Sequence, residues 1–283
     1  MSQAHFSYQG SAYTLRTMSE RDYIHQQLVA EQTFFEIRTL EFIRARRLHG
    51  VYFDVGANIG NHTLYFANEC HAEAVLAVDG SPHIAPLLTD NLRRNLRPGK
   101  PALFRSIFIS HTANVFFHSA GEENVGCSFV TEAKTSQDAV PAAAVTLDSL
   151  CATLARLDVV KIDVENHELE VLQSGEATLR RLRPDLCIEV FHMNLPAVSA
   201  YLESLGYYLL ITLSNDNRYF VYLPSAAWTI YRAIRRLPFP IWSRLHWRWA
   251  AFVDRFRLLQ RRRQLCTFAP AESGGGFSVI RQG

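Results

Sequence analysis

The chain has 283 residues, 48% hydrophobic and 20% charged, with a mean hydropathy of −0.04: ordinary globular composition, enough for one large domain with extensions or two small ones. Five cysteines (Cys70, Cys127, Cys151, Cys187, Cys266), widely spaced and without a Cys-x-x-Cys, argue against a disulfide framework or zinc ribbon and fit a reducing compartment. The net charge of +2 conceals an asymmetry: residues 225–265 hold ten arginines against one acid, Asp254, while the rest carries 19 basic and 26 acidic residues.

No run reaches the roughly 18 uncharged apolar residues of a spanning helix. The N-terminus shows neither the basic nor the apolar segment of a secretory signal. The expectation is a cytoplasmic protein, at most peripheral at the inner membrane surface.

Residues 5–15 alternate around Gln9-Gly10 and predict a short hairpin. Apolar spacing from Arg21 to Arg47 is helical with a break near Glu31-Gln32-Thr33, and His49-Gly50 leads into a strand, Val51 to Val55. Strand and helix then alternate: strand Ala74 to Val78, helix Ile84 to Leu96, strands Leu103 to Ile109 and Val115 to His118, and a loop-like stretch over 119–145. Helix Thr146 to Leu157, strand Val159 to Val164 and helix Glu168 to Leu182 follow. Strand Leu186 to Phe191, helix Leu195 to Leu205 and two strands flanking Asn215-Asp216-Asn217 complete the body. Residues 266–283 read as a loose end.

Such alternation with apolar strands predicts an α/β fold, a mostly parallel sheet with helices on both faces. The expected organisation is a hairpin and helical cap over 1–48, a cofactor-binding domain over 49–224, and a basic helical tail over 225–283.

In an open parallel sheet the ligand sits beyond the C-terminal strand ends, which directs attention to Asp54, Asp79, Ser110, Asp163 and Glu189. Asp79 lies 25 residues after Asp54, at the end of the next strand, where a carboxylate accepts both ribose hydroxyls. The turn is Gly56-x-x-x-Gly60, without the third glycine of a dinucleotide site, and Asp54 precedes it. A carboxylate there would repel a diphosphate but suits a ligand bearing an ammonium group. S-adenosylmethionine, with an adenosine, a sulfonium and an amino-acid ammonium, fits that charge pattern better than a nicotinamide dinucleotide. The turn residues Gly56, Asn58, Gly60, Asn61 and His62 complete the candidate cofactor set with Asp54, Asp79, Ser110 and Asp163.

The run Asp54-Val55-Gly56-Ala57-Asn58-Ile59-Gly60-Asn61-His62-Thr63-Leu64, followed by Lys161-Ile162-Asp163-Val164-Glu165, resembles the FkbM-type methyltransferases. Phe34-Phe35-Glu36, Ile109-Ser110, Asn124-Val125-Gly126, Val145 to Leu150, Glu168 to Leu172 and Ile188-Glu189 support the resemblance, which spans roughly residues 30–195. It implies a class I (Rossmann-like) methyltransferase with a mostly parallel seven-stranded sheet, S-adenosylmethionine as cofactor, and O-methylation of sugar or polyketide hydroxyls. Two departures stand out: Asp79-Gly80 where the family usually has Glu-Pro, and Asn166 where it usually has glycine.

Methyl transfer to an alcohol needs alignment and removal of the hydroxyl proton. The candidate bases are Glu165 and His192, with Glu189 as an orienting partner; histidine's ordinary pKa of about 6.5 suits such work. Asp163 and His167 stand in the same cluster of candidate bases, and His167 reads alternatively as a solvated helix residue. Asp163, Glu165 and Glu189 offer oxygen ligands of the kind Mg²⁺ takes, but no spacing demands a metal and none is expected.

In the tail, Ile241, Leu245, Trp249, Phe252, Phe256 and Leu259 form one stripe of an amphipathic helix, with arginines around it. Packing on the core or in a homodimer is one expectation, and contact with an anionic membrane through residues 225–265 another. Nucleic acid is not an expected partner, since no recognition module accompanies the charge. The expected acceptor is a glycan, glycolipid or small-molecule hydroxyl. The competing functions are a non-catalytic membrane-associated scaffold retaining the cofactor fold and, less favoured, a nucleotide-dependent oxidoreductase.

Overall fold

The computed structural model describes residues 1–121, 127–214, 216–224 and 276–281. The expected tail helix over 225–265 and the segment Asn124-Val125-Gly126 lie outside the described residues. Among those described, no helix is long and apolar enough to cross a membrane.

The chain opens with a hairpin, β1 (Ser2–Tyr8) and β2 (Ser11–Thr17), closed by Gln9 and Gly10, both at positive φ as a two-residue hairpin turn requires. Helices α1 (Tyr23–Glu31) and α2 (Ile37–Ala45) follow, separated by Gln32 and Glu36 in the left-handed region. Then come β3 (Gly50–Val55), α3 (Asn61–Glu69), β4 (Ala72–Val78), α4 (Ile84–Asn95) and β5 (Ala102–Arg105). Strands β6 (Phe108–Ile109), β7 (Asn114–His118), β8 (Phe129–Thr131) and β9 (Val140–Val145) form a separate four-stranded sheet in the order β6-β9-β7-β8. The chain returns through α5 (Leu147–Cys151), β10 (Val159–Ile162), α6 (Glu168–Ser174), α7 (Glu176–Leu182), β11 (Asp185–Glu189), α8 (Leu195–Ser204), β12 (Tyr207–Thr212) and β13 (Asn217–Tyr222). A final strand, β14 (Ser278–Ile280), lies near the C-terminus.

The main sheet runs β12-β13-β11-β10-β3-β4-β5-β14, with β11, β10, β3, β4 and β5 mutually parallel and β13 and β14 antiparallel to their neighbours. Alternation along each strand divides the core in two. Tyr52, Val75, Ala77, Phe104, Val159 and Cys187 face α2, α3 and α4; Val51, Phe53, Val55, Leu76, Val160, Ile162 and Ile188 face α5 to α8. Helices thus cover both faces, which explains why the strands are apolar toward both sides, with isolated charged residues such as Asp54 and Lys161 as exceptions. The chain builds outward from β3 to β5 and then crosses back to β10, so the order reverses between β3 and β10. Clefts for ligands open at such a reversal.

Six local expectations need correction. The sheet has eight strands among the described residues, because β14 pairs with the edge of β5; residues 266–283 therefore do not all form a loose end. The expected strand Leu103 to Ile109 splits between two sheets, and the expected loop 119–145 contains β8 and β9. Alanine-rich Val140–Val145 has weak intrinsic strand preference and is a strand because β7 and β6 flank it. The helix from Thr146 ends at Cys151, and the helix 168–182 breaks at Gly175. Thr146 caps α5 by accepting from the Ser149 N–H at 3.1 Å, while Asp148 reaches the first turn of α7, accepting from Ala177 and Thr178.

Two asparagines dock the hairpin. Asn91 and Asn95 lie one turn apart on α4 and pair with the N–H and C=O of Arg16 and Thr14, which are two residues apart on β2. A helical turn of about 6 Å matches a two-residue step of about 6.8 Å along a strand, so one helix face satisfies one strand edge. The apolar side of the hairpin (Phe6, Tyr13, Leu15) joins the same core as Phe34 and Tyr65.

Gly56 shows why the turn after β3 must be built this way. It sits at φ 80°, and a Cβ there would lie 1.7 Å from the Asp163 carbonyl oxygen at the end of β10. Gly56→Ala is therefore expected to destabilise the fold by roughly 3 kcal/mol, measured as a lower urea midpoint; a midpoint unchanged from wild type would contradict this account.

Candidate functional site

A cavity of about 300 Å³ opens at the C-terminal ends of β3, β4, β10 and β11, beside the reversal point. Its floor is the turn Val55-Gly56 with Asn58. One wall is Asp79-Gly80-Ser81 with Ile107 and Phe108, and the opposite wall is Asp163 to Glu165, His167, Glu189 and Phe191. The small sheet contributes Phe117 and Cys127 to Val130, and the N-terminal helices contribute Asp22, Tyr23, Ile24 and Phe35.

Asp79 is held by main chain alone: its Oδ2 accepts from the Asn58 N–H and its Oδ1 from the Ser81 N–H, both at 2.9 Å. Burial raises its pKa to about 6, against the lowering pull of those two N–H groups, and the charges of Asp54 and Asp163 push the same way as burial. Asn58 sits at φ 45°, which turns its N–H toward Asp79. Gly80 lies against the ring of Phe108, where a Cβ would stand 2.3 Å from the ring carbons. The Gly80 departure from the family pattern thus goes with Phe108 on this wall.

The opposite wall is organised by Lys161, which has 0% exposure. Its Nζ donates to Asp163 Oδ2 at 2.9 Å. Burial alone would lower its pKa, but Asp163, Glu36 and Glu189 together raise it, so it stays charged. Register places Asp54 on β3 and Cys187 on β11 beside it. Glu189 is pushed up to about 9, first by burial and then by the charge of Asp163, to which it is also hydrogen-bonded. Its carboxyl is therefore protonated at neutral pH. Glu165, at φ 51°, has its pKa raised to about 7 by burial and by Asp163.

Glu36 reaches this network from the N-terminal helices. Burial would raise its carboxyl pKa, but hydrogen bonding to His62 (3.1 Å), the charge of Lys161 and the Asn217 amide hold it down at about 2.

Of the sequence candidates, Gly56, Asn58, Asp79, Asp163, Glu165 and Glu189 line the cavity. The rest are placed elsewhere. Asp54 is fully buried beneath the turn, accepting from Thr63 Oγ1 at 2.5 Å, and its Oδ1 has no partner among the described residues. Gly60 begins α3 at φ 86°. Asn61 grips the Phe35 main chain, accepting from its N–H and donating to its C=O, each at 3.1 Å. His62 pairs with Glu36. Ser110 is buried against Thr112 and Glu132. His192 is exposed and outside the lining, because Phe191 is the residue of that turn that joins the wall. His167 is not solvated as expected; it is 4% exposed and lines the cavity.

Sequence reasoning named Lys161 in a motif but assigned it no role, although a lysine inside Val159-Val160-Lys161-Ile162 is itself the signal of a buried, paired charge. Ser81, whose buried Oγ on the cavity wall has no partner among the described residues, carried no signal.

A mixed α/β sheet whose parallel strands end in ordered carboxyls around a cavity is the arrangement at which such folds hold ligands. The model of the methyltransferase FkbM domain matches residues 54–209, more than half of the chain, and the chain belongs to that family. No curated protein matches the sequence at a significant level. Among solved structures it is similar to methyltransferase FkbM from Methylobacillus flagellatus: 15% identity, TM-score 0.44, covering 74% of this chain and 48% of that one. This chain thus spans about half of that protein's length. It is also similar to precorrin-6y C5,15-methyltransferase from Geobacter metallireducens (16% identity, TM-score 0.37, 66% and 84% covered). A third is precorrin 8w decarboxylase from Methanobacterium thermoautotrophicum (15% identity, TM-score 0.41, 67% and 90% covered). The functional reading rests on the family match, not on these likenesses.

Lys161→Met is expected to cost roughly 3–5 kcal/mol at neutral pH, because Asp163 and Glu36 lose their buried counter-charge. The loss should shrink as pH falls and the orphaned carboxylates take up protons. Urea unfolding at several pH values measures it; a loss independent of pH would exclude this cause.

Proposed function

We propose that the chain transfers the methyl group of S-adenosylmethionine to a hydroxyl of a sugar, glycan, glycolipid or related small molecule, with Glu165 taking up the hydroxyl proton. The observation that carries the reading is Glu165 itself: a carboxyl on the cavity wall with its pKa raised to about 7, where a general base works best near neutrality.

The residues present fit the cofactor. Each Asp79 oxygen already accepts one backbone N–H and keeps a lone pair for a ribose hydroxyl. The orphaned Ser81 Oγ on the same wall is available to a polar edge of the ligand. Ile107, Phe108, Phe117 and Val130 offer an apolar slot for a purine. Gly56 and Asn58 present main chain toward the amino-acid end. When bound, the cofactor supplies a methyl carbon already activated by its sulfonium. Asp54, Asn61, His62 and Ser110 act from behind, bracing the turn, the Phe35 loop and the small sheet.

Calorimetry separates this reading from the oxidoreductase and scaffold alternatives. S-adenosylmethionine and S-adenosylhomocysteine are expected to bind and NAD not to; binding of NAD alone, or of none, would sink the proposal. Because Asp79 accepts ribose hydroxyls in its ionised form and its pKa is about 6, affinity should be flat above neutrality. It should weaken by about tenfold per pH unit once pH lies well below that value. Incubation with labelled cofactor and a glycan panel then identifies the methylated atom.

The Arg- and Trp-rich segment 225–265 supports a further reading, contact with an anionic membrane that carries or adjoins the acceptor. Removing the whole C-terminal segment would also delete β14, so the test is Arg→Glu at positions 244, 248, 255 and 262 in the full chain. Co-sedimentation with anionic liposomes should fall in the variant; equal, negligible binding by both proteins counts against it.

A further inference from the structure

The cavity is one-sided in charge. Asp22, Asp79, Asp163, Glu165 and Glu189 line it, and among the described residues no lysine or arginine does. Lys161 stands behind the wall, fully buried and paired with Asp163. With Asp79 turned toward the ribose, the carboxyls left on the β10–β11 wall are Asp163, Glu165 and Glu189, and Asp163 disfavours ionisation of the other two.

A second, independent feature lies on that wall. His167 is 4% exposed, lines the cavity, and its Nε2 has no hydrogen-bond partner among the described residues. Its Nδ1 is 3.8 Å from Glu170, too far for a hydrogen bond. Burial lowers its pKa, so the ring is neutral, with one nitrogen able to accept a hydrogen bond. A buried polar atom without a partner is destabilising, a cost that a ligand donor would relieve.

Like charges brought together in a desolvated site repel strongly, so a phosphate or carboxylate beside the transfer point would meet Glu165, and Asp163 whose counter-charge, Lys161, is buried behind the wall and already paired. A cationic nitrogen meets the opposite situation: carboxylate acceptors on one side and a neutral imidazole acceptor on the other. We propose that the wall formed by Asp163, Glu165, Glu189 and His167 is the acceptor subsite and that it takes a group carrying a positively charged nitrogen, turning away phosphorylated and carboxylated acceptors. This rests on the methyltransferase reading and narrows its acceptor to amine-bearing molecules.

The probe is sinefungin, in which a carbon bearing an ammonium group replaces the methylated sulfur, compared with S-adenosylhomocysteine, which has no charge at that position. Calorimetry on the full-length protein should show sinefungin binding about tenfold or more tightly than S-adenosylhomocysteine, the gain of a charge-assisted hydrogen bond. In Glu165→Gln most of that advantage should disappear, with the urea unfolding midpoint of the free variant reporting an intact fold. Equal binding of the two ligands by the wild type overturns the subsite, as does an advantage retained in full by Glu165→Gln. Should the variant not fold, the wild-type ratio still decides. Failure of both ligands to bind the wild type would instead remove the methyltransferase reading beneath it.

Discussion

One buried ammonium holds this molecule's site together. Lys161 lies in a central strand with no exposure, and its charge is answered by carboxylates from two separate places: Asp163, just past the end of the same strand, and Glu36 on the segment between α1 and α2, with the Glu189 carboxyl closing the cluster from the end of β11. A charge cannot be left uncompensated at that depth, so the ends of β10 and β11 and the N-terminal helices are drawn to one point. The same cluster sets the chemistry. Asp163 is ion-paired, Glu189 is kept protonated against it, and Glu165, next along the chain, has its pKa raised to about 7.

The glycine turn after β3 divides its work between side chains and main chain. Its side chains mostly point to structure: Asp54 to Thr63, Asn61 to the Phe35 main chain, His62 to Glu36. Its main chain faces function, with the Asn58 N–H orienting Asp79 and Gly56 fitted against the Asp163 carbonyl. A motif of this kind is informative because nearly every position is constrained, yet only part of it touches the cavity. The space beside the Gly56 Cα is filled by the protein's own backbone, the Asp163 carbonyl.

The N-terminal segment belongs to the same arrangement. Its hairpin is pinned by Asn91 and Asn95, its loop is gripped by Asn61 at Phe35 and by His62 and Asn217 at Glu36, and Phe35, Tyr23 and Asp22 then roof the cavity. The small sheet closes another side through Phe108, Phe117 and Val130, with Gly80 leaving room for the Phe108 ring. Cofactor-facing and acceptor-facing surfaces are therefore assembled from segments far apart in the chain around one charged centre.

The sequence by itself determined the α/β alternation, the hairpin at Gln9-Gly10, the turn after β3 and the carboxylates at the strand ends, because these follow from local periodicity and turn chemistry. It also carried the family pattern. It could not separate cavity-lining from bracing residues within that pattern: Asp54 and Asp79 look alike as strand-end acids, and only packing buries the first against Thr63 while presenting the second to the cavity. Exposed His192 and buried His167 were likewise indistinguishable in type. Strands β9 and β14 have weak local signals and exist through pairing with distant partners. Local propensity is written residue by residue, whereas burial, charge compensation and edge pairing depend on neighbours that only the folded chain brings together.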